Sequence, residues 1–82
     1  MKKIEWADFI YSDPQILLGK PVIKGTRLSV EFILGLYAEG WTEDQTLRNY
    51  PSLTKESLLA VFAYARECMQ GEFLYPLSAE AR

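Results

Sequence analysis

The chain contains no histidine, so the commonest general base and metal ligand is missing. Its one cysteine, Cys68, excludes an internal disulfide and a cysteine-built zinc site, and it suits a reducing cytosol. On an apolar helix, Cys68 reads as a small buried hydrophobe. No apolar run reaches the ~18 residues that mark a membrane span. The opening stretch MKKIEWADFIYSD follows its two lysines with Glu5 and Asp8, where a signal peptide would need an apolar core. Ser29, Ser52 and Ser57 have no activating partner nearby in sequence, and Gly19 and Gly25 do not satisfy a phosphate-loop spacing. Glu43 and Asp44 are a carboxylate pair, but at a helix start they read as acids that complement the helix dipole. Together these absences argue against catalysis, a metal and a cofactor. They point to a cytoplasmic binding protein.

What is present is a folding composition: 82 residues, 49% apolar and 13% aromatic, enough for one small domain. Eleven acids and nine basic residues give a net charge of −2, which argues against a general nucleic-acid binder. The charge is unevenly placed. No acid lies between Asp13 and Glu31, and within that gap the stretch GKPVIKGTR gathers Lys20, Lys24 and Arg27.

Residues 29–70 read as three helices. Ser29 caps the first, with Leu28 and Ile33 placed as a hydrophobic staple, and Gly40 stops it. Thr42-Glu43-Asp44-Gln45 is a capping box that opens a short second helix, which ends before Pro51. Thr54 caps the third helix, expected to run to about Met69 before Gly71, with Leu53 and Leu58 as its staple. Residues 1–28 predict short strands: one in DFIYSDP ending at Asp13-Pro14, and a basic hairpin pairing Val22-Ile23 with Arg27-Leu28 across Lys24-Gly25. Residues 71–82 read as an irregular C-terminal arm. The expected fold is mainly α: a three-helix, helix-turn-helix core with an N-terminal β-hairpin.

The segment Ser12 to Ala65 carries Asp13-Pro14, Gly19-Lys20-Pro21-Val22-Ile23-x-Gly25-Thr26-Arg27, Val30-Glu31 at a helix start, Gly40 at its end, and Tyr50-Pro51-x-Leu53-Thr54. This ordered set, over about two thirds of the chain, resembles the small prokaryotic family catalogued as domain of unknown function 433. The resemblance implies a homeodomain-like helix-turn-helix and similarity to antitoxins of toxin–antitoxin pairs, whose genes often neighbour small PIN-type nucleases. The expected partners are therefore a nuclease-like toxin, held stoichiometrically, and operator DNA. A stand-alone DNA-binding regulator and a structural homodimer are the alternatives.

The candidate binding residues follow from charge and apolar pattern. Lys20 and Lys24, at turns, are expected to contact a partner or DNA. Arg27 is expected first to pair with Glu31 or Asp13, and Lys55 opens the third helix as a further contact residue. That helix holds eight consecutive apolar residues, Leu58 to Ala65, more than so short a chain can cover. Leu59, Phe62 and Tyr64 are accordingly expected at a homodimer interface, the alternative being an ordinary monomer core. Phe73, Leu74, Tyr75 and Leu77 either fold back over the core or form a partner-binding arm.

Overall fold

Side-chain caps fix where each helix begins. In a computed structural model that describes residues 3–71, Ser29 Oγ accepts the Phe32 amide at 2.9 Å and opens α1, Val30–Ala38. Thr42 and Gln45 exchange hydrogen bonds of 3.1 and 2.8 Å to open α2, Glu43–Asn49. Thr54 and Ser57 do the same at 3.1 and 2.9 Å to open α3, Lys55–Gln70. Each such cap contributes about 1 kcal/mol relative to alanine. The Thr54–Ser57 pair is a capping box with serine in the place of the usual Glu or Gln, so only its Thr54 half was readable in advance. Gly40, at φ 98°, closes α1: its amide reaches Tyr37 O at 3.0 Å and the Trp41 amide reaches Leu36 O at 3.0 Å. That paired pattern needs a left-handed residue at Gly40, which glycine alone adopts without penalty.

The helices pack over a small antiparallel sheet of two strands, β1 (Ile10–Tyr11) and β2 (Val22–Ile23), with Ile10 opposite Ile23 and Tyr11 opposite Val22. The molecule is mainly α, as expected, with the strands at its N-terminal side. Two details differ from the sequence expectation. The first strand occupies only Ile10–Tyr11, because Asp8 closes a 3-10 turn over Trp6–Asp8 and Asp13 starts the next turn. The other side of β2 meets Leu28-Ser29 rather than Arg27-Leu28: the Ile23 amide bonds to Leu28 O at 3.0 Å, and Val22 bridges Ser29. Thr26 causes the shift. Its amide and its hydroxyl both bond to Ile23 O, and its hydroxyl accepts the Leu28 amide, so the turn takes in Thr26 and Arg27.

One apolar cluster holds these pieces together, built from Ile10, Ile23, Val30, Ile33, Leu36, Leu53, Leu58, Ala60 and Val61. Both predicted staples contribute to it, Leu53 with Leu58 inside and Leu28 packed against Ile33's cluster. The N-terminal 3-10 turn covers the flank of α3. Trp6 meets Tyr64 edge-on with ring centroids 4.8 Å apart, and its indole Nε1 donates to Glu67 Oε1 at 3.0 Å. Thr46 is fully buried, and its hydroxyl is satisfied by donating to Thr42 O at 2.9 Å.

Candidate partner-binding surfaces

The basic corner is a turn before it is a charged patch. Lys24 and Gly25 are the central residues of a turn closed by the Thr26 amide on Ile23 O at 3.0 Å, and Gly25 sits at φ 80°. Nothing lies within 4 Å of the place a Gly25 Cβ would take, so backbone conformation alone calls for glycine. Lys20 Nζ lies 2.9 Å from Glu31 Oε1, joining the corner to the first turn of α1. This corrects the expected pairing of Arg27. Glu31 is taken by Lys20, and the Asp13 carboxylate accepts the Gln15 amide at 2.9 Å. Both Lys24 and Arg27 are exposed, and among the described residues neither forms an ion pair.

Immediately before this corner lies a feature that the sequence reading passed over. Leu17 (φ 50°) and Leu18 (φ 59°) both occupy the left-handed region, followed by Gly19 at φ 84°. For a leucine that conformation costs roughly 1–2 kcal/mol per residue. The turn is held from both ends: Ile16 N to Asp13 O at 2.8 Å, Gly19 N to Ile16 O at 3.0 Å, and Lys20 N to Leu17 O at 3.1 Å. Its result is to lift Leu18 out of the protein, 94% exposed, beside Leu17 and Phe32. Together with Leu28, Lys20 and Arg27 these side chains line an open groove of about 510 Å³. The available signal was LL placed between Asp13-Pro14 and Lys20-Pro21, a span too short to hide two large apolar side chains.

The third surface is the outer face of α3. Leu58, Ala60 and Val61 face the core, whereas Leu59 is 54% and Phe62 42% exposed. Lys55 and Arg66 are exposed, as are Glu56 and Glu67, so the helix carries both signs in equal number. Phe62 also meets Tyr37 of α1 edge-on at 5.1 Å. Tyr64 does not join Leu59 and Phe62, contrary to expectation. A helix advances ~100° per residue, since 3.6 residues make a turn, and this puts Tyr64 on the flank facing Trp6. Burial raises the Tyr64 hydroxyl's pKa above its ordinary value, and a hydrogen bond and the charge of Cys68 add to the rise.

Cys68 lies with Pro21, Leu34, Tyr64 and Met69 along an apolar groove of about 340 Å³ between α1 and α3. Among the described residues no three of Asp, Glu, Cys or His come together as a metal-binding group would. No helix there is long and apolar enough to cross a membrane. Phe73, Leu74, Tyr75 and Leu77 of the expected arm lie outside the described residues.

The ordered motifs from the first strand to α3 match one family along residues 10–65, described as "Protein of unknown function (DUF433)". The chain belongs to the DUF433 family. It is similar to uncharacterized protein y4eO of Sinorhizobium fredii, at 34% identity over 58 residues. That match takes in 71% of this chain but 26% of the relative, so the chain spans about a quarter of the relative's length. It is also similar to a DUF433 member protein from Anabaena variabilis whose crystal structure is known, at 31% identity and a TM-score of 0.69. There the shared part is 71% of this chain and 57% of the other. The family assignment and the mainly α fold thus rest on sequence and architecture together.

Proposed function

We propose that this DUF433 protein is a non-catalytic, cytoplasmic, antitoxin-like binding protein that holds a small PIN-type nuclease by stoichiometric contact. The observation that carries the binding role is the outer face of α3. A DNA-reading helix in this position carries Arg, Lys, Asn or Gln towards base edges and phosphates. Here the middle of that face is Leu59 and Phe62, and the acids Glu56 and Glu67 offset Lys55 and Arg66. Such a face favours a protein surface over a polyanion. It also supports a homodimer paired across Leu59 and Phe62, a contact of the same patch with itself. The nuclease as partner rests on the antitoxin-like role that the family resemblance implies.

The test is co-expression of the tagged chain with the product of the neighbouring reading frame, then purification and mass analysis. The expected result is a stable complex with a small protein bearing clustered acids. Recovery of the chain alone contradicts the nuclease reading. Light scattering at tens of micromolar examines the pairing, and a monomer mass sinks the homodimer.

A second reading, a DNA-binding regulator, is favoured by Lys24 and Arg27, exposed on one turn and without an ion pair among the described residues. It predicts affinity for upstream DNA that falls steeply with salt and weakens in Lys24→Ala. Salt-independent binding, or none, removes it.

A further inference from the structure

A left-handed leucine pair is an uneconomical way to make a turn, and Gly19 and Gly25 show that this chain uses glycine for that conformation nearby. Backbone strain of this kind clusters at active sites, ligand clamps and switch regions. Leu18, 94% exposed, is presented to solvent with Leu17 and Phe32 beside it. Their groove carries Lys20 and Arg27 among its lining residues.

We propose that the Leu17–Leu18 turn is a docking knob that enters an apolar socket flanked by carboxylates on a protein partner. The occupant is chosen by charge. Lys20 and Arg27 line the groove beside the knob; Lys20 is held by Glu31, and Arg27 forms no ion pair among the described residues. A second copy of the chain seated here about a two-fold axis would bring these cations together. Like charges across an interface disfavour that pairing, whereas acids across it set both orientation and rate. The knob is separate from the Leu59–Phe62 face, so one molecule can engage a partner here and a second copy there. This inference rests on the reading of the chain as a protein-binding module and adds a second contact surface to the face of α3.

The test replaces Leu18 with the photo-cross-linker p-benzoylphenylalanine in the full chain, expressed in its native host, and identifies the cross-linked peptide by mass spectrometry. The expected result is one protein, joined through an apolar segment with neighbouring Asp or Glu. Arg27→Glu should lower the yield about tenfold or more, as reversal of a complementary charge does, whereas Arg48→Glu on α2 should not. Melting curves of each variant establish that it is folded. A cross-link to a second copy, to residues 72–82 of the same chain, or to nothing overturns the proposal, as does a yield indifferent to Arg27→Glu. The two readings fail separately. A cross-linked acidic partner that is no nuclease keeps the knob and rejects the nuclease. A nuclease that co-purifies without a cross-link at position 18 rejects the knob alone.

Discussion

Two turns a few residues apart solve the same geometric problem differently. At Lys24-Gly25 the left-handed position is filled by glycine, with open space around it, and the turn only changes the direction of the chain. At Leu17-Leu18-Gly19 the same backbone region is filled by two leucines, and the outcome is an exposed apolar side chain held by three backbone hydrogen bonds. The first turn is what folding stability alone selects. The second sets stability against the display of Leu18, and the difference separates a corner from a candidate contact.

The largest effect should come from making the relaxed turn resemble the strained one. Gly25→Val puts a β-branched residue at φ 80° and should cost about 1–2 kcal/mol in urea unfolding. Because no atom crowds that position, the loss is conformational. A neutral result would mean that the turn readily adopts another conformation, and the contrast between the turns would lose its meaning. The reverse change should go the other way. Leu18→Asn suits the left-handed region and exposes no core, so stability should rise by up to about 1 kcal/mol. In a domain of this size that corresponds to a Tm increase of about 4–8 °C per kcal/mol. A fall in Tm would show that Leu18 contributes to packing after all.

Smaller again is the ion pair between the corner and α1. Lys20 and Glu31 are both exposed, so Lys20→Ala should cost at most about 1 kcal/mol and less in high salt. A larger loss would make the corner a stability element rather than a contact surface. The slightest effect concerns the flank of α3, away from both turns. Burial raises the Tyr64 pKa in the folded protein above the ordinary 10.0, so its contribution is intact below pH 10 and is lost as pH rises through the raised value. Tm should fall above pH 10 more steeply in the parent chain than in Tyr64→Phe. Equal slopes would contradict the burial of that hydroxyl.

How much of this was legible in the sequence depended on how local its cause was. Ser29, the Thr42–Gln45 box, Thr54 and Gly40 act within one helical turn, and each boundary they mark is where the residues placed it. The family motifs were equally readable, being local strings in a fixed order. What escaped was set by distant partners. Trp6 lies against Tyr64 and bonds Glu67, 61 residues on, so the flank of α3 that carries Tyr64 is covered while the face shared by Leu59 and Phe62 stays exposed. The apolar run Leu58 to Ala65 could not reveal which side the rest of the chain would cover. Arg27 had two candidate acids by sequence, but Glu31 is held by Lys20, from eleven residues away, and the Asp13 carboxylate by the Gln15 amide. The left-handed leucines were invisible for the opposite reason: local propensity argues against them, and only the closed turn from Asp13 to Lys20 enforces them.

The most direct measurement compares the parent chain with Leu18→Asn for stability and for complex formation with the co-expressed product of the neighbouring reading frame. A protein displaying Leu18 for a partner should give a stable complex as the parent chain. The variant should melt no lower and yet lose that complex. A variant that melts lower, or that keeps the complex at undiminished affinity, would contradict the account.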